Sequence, residues 1–338
     1  MPSGLTWSVF CILYFVFSIL SLPLSPPSLS FSPATNVFLS SLANTDFSPL
    51  ATQEQAALPT TSSAIPELTT LLATVPLPFD TIEAVLRCPI KYEEAYNNML
   101  QNEMHSYNHL LSLVHHDIST LIHAEHGTMA MTDTVKALKQ NLLQHHTVPN
   151  TWKTQSYTTL STISIGQYLT NLTRRIEFIK LWIKKNKPPP MIWLGAFFFV
   201  QTFLNSTLQN YSRKRTINID HLGWQTTVCK KTNYDSAPRN GIYIHGLSFE
   251  CGQWNAQEGL LVDQHKGQWQ SKCPVLLMKA IPKEEQTRYP FFCPVYRTKE
   301  RTETQWSKTT NYVLDVQIPT QHSQEYWEER GCALIVDE

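Results

Sequence analysis

The chain has 338 residues, enough for a sizeable core and one to three domains. Its 27 basic and 27 acidic side chains cancel, so no global field favours nucleic acid or an anionic membrane. A hydrophobic share of 42%, with nine Trp and fifteen Phe, excludes a disordered chain and points to an aromatic-rich globule.

Charge is spread very unevenly at the start. No Lys or Arg precedes Arg87, and the only acids before residue 75 are Asp46, Glu54 and Glu67. Residues 9–20, VFCILYFVFSIL, are a short apolar run, and residues 21–78 are rich in Ser, Thr, Pro and Leu. The run fits a signal-peptide core better than a bilayer span. A basic segment before it and a small-x-small cleavage site after it are both missing, which disfavours a signal peptide over 1–24. A membrane anchor would carry Ser18, Ser21 and Pro23 inside the span. The third reading, a stretch foreign to the domain behind it, is preferred. Residues 1–77 are expected to be a low-complexity, disordered leader.

From Pro78 the pattern is helical. Leu100, Met104, Tyr107, Leu111, Val114, Ile118 and Leu121 step by four and three, a heptad seam ended at Gly127. His, Ser and Asn flank the seam, so packing inside a helical domain is expected rather than a free coiled coil. Thr132 is positioned to cap a second helix carrying Val135, Leu138 and Leu142, broken at Pro149. A third helix spans about 164–185 on Tyr168, Leu172, Ile176, Ile179 and Ile183, stopped by Asn186 and Pro188-Pro189-Pro190.

The oily stretch Met191–Leu204 is only fourteen residues long and Gln201 interrupts it, too short for a span of about twenty residues. From Phe197 onward Val200, Phe203, Leu204, Leu208 and Tyr211 form one helix face, with Arg213, Lys214 and Arg215 in the last turn where cations suit the dipole. The stretch is expected to be a core helix with a solvated basic end.

After residue 220 short strands follow: 223–230, 241–249, 258–263, 274–281, 291–298, 311–318 and 331–336. In the sixth, Tyr312, Leu314, Val316 and Ile318 alternate with Val313, Asp315 and Gln317. Asn240-Gly241 signals a tight turn. The apolar phase slips across Gly246, which suggests a bulge that bends the strand. Strands so short and so closely spaced make a small barrel or sandwich.

Chemistry is sparse. The chain has no Gly-Lys dipeptide, which excludes a standard phosphate-binding P-loop, and no G-x-G-x-x-G, H-E-x-x-H or G-x-S-x-G. His105 and His109 are spaced for a metal on a helix, but no carboxylate or Cys completes a set of ligands, so solvent-facing positions between seam residues are the favoured reading. His245, Asp263 and Cys251 imitate a nucleophilic triad by residue type alone. Cys11, Cys88, Cys229, Cys251, Cys273, Cys293 and Cys332 are odd in number, scattered and without a C-x-x-C pair, so free thiols buried as small hydrophobes are expected. Sequons lie at Asn171, Asn205 and Asn210, the last two on the aromatic helix, where a glycan would disturb packing.

The segment PPPMIWLGAFFFVQTFLNSTLQNYSRK resembles the signature near the C-terminus of dynein heavy chains. The similarity continues in order through IDHLGW, GIYIHGLSFECGQWN, PFFCPVYRT, TTNYVLDVQIPT and YWEERGCAL, and upstream through PFDTIEAVLRCPIKYEEAYNNMLQNEMHSYNHLL and VPNTWKTQSY. It covers residues 78–338, with an axonemal texture. Between Tyr296 and Asn311 this chain has RTKERTETQWSKTT where the family has a longer Gly/Ser-rich turn, and residues 1–75 match nothing in it.

The resemblance implies an α+β fold: a helical half over 78–215, then a small antiparallel β-barrel over 216–338. Trp193, Gly195, Phe198, Phe199, Gln201, Phe203, Leu204, Gln209, Asn210, Arg213, Gly246, Trp254, Pro294, Tyr296, Asn311 and Tyr312 are its structural signature positions. It implies a domain that follows the sixth ATPase module, lies across the motor ring, and serves minus-end-directed microtubule movement in the ciliary axoneme. The implied partners are that ring and, indirectly, intermediate chains, light chains and microtubules. No nucleic acid, membrane, cofactor or metal is expected, and no catalytic residue carries over. The rival expectation is a secreted or single-pass protein with an extracellular β-barrel binding module.

Overall fold

Local sequence signals set most helix ends. The computed structural model describes residues 64–336 except 161, 266, 269, 287–290 and 301–310. The apolar run over 9–20 and most of the expected leader lie outside these residues. The first described helix, α1 (Ala64–Thr74), falls inside the stretch read as leader and buries Leu68. A short helix, α2 (Thr81–Arg87), follows, with the Asp80 carboxylate accepting the Ile82 and Glu83 N–H groups at its start.

The long α3 (Ala95–Glu125) buries all seven seam residues. It ends in a Schellman turn: Gly127, at φ +73°, donates to Ala124 O, and Thr128 N–H reaches His123 O. Thr132 caps α4 (Asp133–Lys139), which passes into a wider turn over Gln140–Gln144. After the five-residue α5 (Asn150–Thr154), Ser164 and Gln167 form a reciprocal capping box on α6 (Ile165–Lys185). Asn186 closes α6 in the left-handed region at φ +48°. A short strand, β1 (Met191–Trp193), separates α6 from α7 (Val200–Arg215).

The sheet half contains β2 (Leu222–Val228), β3 (Ile242–His245), β4 (Leu247–Glu250), β5 (Gln253–Asn255), β6 (Leu260–Val262) and β7 (Gln270–Lys272). It continues with β8 (Leu276–Pro282), β9 (Phe291–Tyr296), β10 (Tyr312–Ile318), the helix α8 (Gln324–Glu329) and β11 (Ala333–Val336). The described strands do not close into the expected barrel. One sheet runs β1-β3-β8-β2, a second runs β10-β9-β11-β4-β7, and β5 with β6 makes a ribbon. Closure needs every strand bonded on both sides. Here β2 approaches β10 without a hydrogen-bonded ladder between them. Nor is the pairing wholly antiparallel, because β1 runs parallel to β3 and β9 parallel to β11.

Gly246 does more than bulge. At φ +73° it sends the chain from β3 in the first sheet to β4 in the second. One buried cluster runs without a break from Leu68 through the α3 seam and Phe203 to Ile244, Phe249, Val295 and Val336. Helices and sheets therefore share a core.

Candidate functional site

The first third of α3 places an acid where periodicity demands an apolar residue. Glu103 lies on the same face as Leu100, Met104 and Tyr107, and it is fully buried. Its carboxylate accepts the Phe198 N–H at 2.7 Å and the Phe199 N–H at 2.9 Å. Phe199 precedes α7 without any side-chain cap of its own, so Glu103 supplies the acceptor from another helix. Burial raises the Glu103 pKa to about 7, with the two N–H bonds, Arg297 and Arg175 opposing that rise.

Arg175 is the matching intrusion on α6, buried among Leu172, Ile176 and Ile179. Its guanidinium lies 3.8 Å above the Tyr157 ring and 5.3 Å from that of Trp193, and its Nε donates to Asn171. Arg174 also covers Trp193, at 4.8 Å. On the sheet side, burial and the neighbouring Arg175 lower the pKa of Arg297. Glu103 on α3, Arg175 on α6 and Arg297 just after β9 thus lie within electrostatic reach of one another, without a direct bond between them.

The signature positions gather around this junction only in part. Trp193 is wedged against two glycines: a Cβ on Gly195 would fall 2.6 Å from its indole nitrogen, and one on Gly246 would fall 2.8 Å from its Cδ1. Phe198 meets Tyr107 edge-on at 4.6 Å, and Phe203 stacks on Phe197 at 4.6 Å. Leu204 is buried beside them. Gln201 donates to the Val313 carbonyl on β10. Farther along α7, Asn210 bonds Glu94 and the Ala95 N–H, while Arg213 covers the Tyr92 ring at 4.3 Å and bonds Gln209.

The remaining positions lie in the sheets. Tyr296 and Tyr312 meet edge-on across β9 and β10, where Pro294 faces Asp315. The buried Asn311 side chain accepts the Thr298 N–H at 2.9 Å and donates to the Thr298 carbonyl, tying the residues after β9 to those before β10. Trp254 lies apart on the β5–β6 ribbon. Sequence reasoning missed Glu103, Arg175 and Arg297. The first two carry a readable signal: each charge stands three positions after one residue of a core stripe and four before another.

The other candidates disperse. His105 and His109 are exposed between seam residues, and no group of three metal-ligating side chains occurs among the described residues. Asp263 is engaged by Tyr326 and, at 3.0 Å, by Arg330. The six described cysteines, from Cys88 to Cys332, form no disulfide, and Cys88, Cys293 and Cys332 are buried while Cys229, Cys251 and Cys273 are only partly so.

A family model for the C-terminal domain of the dynein heavy chain matches residues 34–336. Rat dynein axonemal heavy chain 12 is 35% identical over 269 residues, which is 78% of this chain and 8% of that protein. Human dynein axonemal heavy chain 12 is 33% identical over 268 residues, 78% of this chain and 8% of that one. For mouse dynein axonemal heavy chain 1 the identity is 32% over 270 residues, again 78% of this chain but 6% of the relative. The chain belongs to the family of dynein heavy-chain domains found at the C-terminus. It spans less than a tenth of the length of these axonemal relatives.

The family match begins at residue 34, inside the stretch read from sequence as leader, and takes in α1. Within the dynein domain no described helix is long and apolar enough to cross a membrane. Asn171 is buried and holds Arg175, so a glycan there would dismantle the junction. Asn210 is likewise spent on Glu94, which leaves Asn205 as the exposed sequon.

Proposed function

We propose that the chain acts as the C-terminal structural and regulatory domain of an axonemal-type dynein heavy chain. It braces the ATP-driven ring and tunes microtubule-based movement at the ciliary axoneme, without a nucleotide site of its own. The observation that carries this reading is the match of nearly the whole folded unit to the C-terminal domain alone. The shared core of helices and sheets supports it, because a brace must transmit force without internal slip. The junction at Glu103 locks α7 to α3 and serves the same end.

The test is a domain exchange in an axonemal heavy chain, with this chain replacing the native C-terminal domain. Microtubule gliding and ATP turnover are then compared with the native motor and with a motor lacking the domain. Gliding close to native is expected with the exchange, and no ATP turnover is expected from the purified chain alone. Turnover by the chain alone, or an exchanged motor no better than the deletion, would overturn the reading.

A further inference from the structure

A cleft of about 320 Å³ opens where β9 runs out, walled by Gln270 of β7, by Arg297, Thr298 and Lys299, and by Leu160, Ile335 and Val336. Its chemistry is one-sided. Two cationic side chains and a carboxamide line it, and none of the described residues lining it is acidic. Glu250, opposite Gln270 in the register of β4 and β7, is not among them.

Arg297 is the unusual member. Its guanidinium is half-buried, lies near the like charge of Arg175, and forms no ion pair with any described carboxylate. Glu103 acts on it only from beyond ion-pair reach, with its oxygens already accepting the Phe198 and Phe199 N–H groups. A purely structural buried arginine is normally neutralised by a carboxylate, because an unpaired charge away from water is costly. Here the cost is retained at the mouth of a cleft, the arrangement that marks binding sites.

We propose that this cleft binds a small phosphomonoester. The Arg297 fork, Lys299 and the Gln270 amide surround the phosphate, and a compact apolar body rests on Leu160, Ile335 and Val336. Two cations, one of them a multidentate donor, suit a dianion with three acceptor oxygens better than a carboxylate. The volume, at the small end of ligand pockets, limits the body to about a single ring. The site is separate from the brace reading and stands or falls without it.

Calorimetric titration of the full chain with inorganic phosphate, phenyl phosphate and benzoate tests the assignment. Saturable binding of both phosphates is expected, with phenyl phosphate about tenfold tighter and benzoate weaker than either. Arg297→Gln is expected to weaken phenyl phosphate at least about tenfold with the fold retained, because it removes a charge that no described carboxylate pairs. Lys299→Glu changes an exposed side chain and must also abolish binding, so it decides the matter should the first variant not fold. No saturable phosphate binding, benzoate as tight as phenyl phosphate, or unchanged affinity in a folded variant would each overturn the proposal.

Discussion

Glu103 puts a titratable group where α7 needs an acceptor. It is faced by the Phe198 and Phe199 N–H groups before α7, by Arg175 from α6, by Arg297 after β9, and by Tyr107 one turn along α3. Its folded pKa of about 7 lies above that of a free glutamate, about 4.3. Folding therefore favours the protonated form. The contribution is fully present below about pH 4.3 and is lost as the pH rises to about 7. Within that window it changes by up to about 1.4 kcal/mol per pH unit. Glu103→Gln keeps one acceptor oxygen and cannot ionise. Urea unfolding at about pH 5 and about pH 7.5 is expected to show a smaller stability difference in the variant than in the parent chain. An equal difference in both would assign the pH dependence to other groups.

At the scale of elements, Gly246 illustrates what sequence periodicity reveals and what it hides. The phase slip between Ile244 and Leu247 is visible in the sequence, and a bend follows from it. That the bend moves the chain into another sheet depends on which distant strands pair with β3 and β4, information no local pattern contains. The missing barrel has the same cause. Helices were far more legible, since the α3 seam, the Thr132 cap and the Asn186 stop are all short-range signals. The strand β1 escaped notice because three apolar residues inside an oily run carry no period, and α8 because six residues hardly complete two turns. The position of Gly246 also yields a test. Its alanine variant would adopt a left-handed backbone, at about 1–2 kcal/mol, and would press on Trp193, which is pinned beneath Arg174 and Arg175. Gly259, at φ +69°, has open space around it, so Gly259→Ala bears the backbone cost alone. Chemical denaturation is expected to find Gly246→Ala at least about twice as destabilising. Equal losses would mean that the indole moves aside freely.

At the scale of the whole molecule, the described residues leave an apolar ridge between Leu77 and Ile90 exposed. Leu77, Ile82, Leu86 and Ile90 are each between 62% and 76% exposed, although a single surface leucine would be ordinary. The ridge is held rigidly. Asn108 bonds both the N–H and the carbonyl of Phe79, Asn97 bonds the Pro89 carbonyl, and Asp80 caps α2, which buries only Ala84. Side chains fixed outward on a tethered backbone lose little entropy when covered, and each gains roughly 1.5–3 kcal/mol on full burial. Most of a heavy chain lies outside the region this protein matches; under the brace role proposed above, the ridge is the face expected to meet it. Converting Leu77, Ile82 and Leu86 to Asp leaves the buried core untouched, so the melting temperature is expected to stay close to that of the parent protein. The isolated parent is expected to bind an apolar fluorescent dye and to associate with rising concentration, and the triple variant to do neither. In the domain-exchange motor the same variant is expected to lose the recovery of gliding. A variant that melts normally and still restores gliding would place the contact on another face and leave the ridge as bare surface.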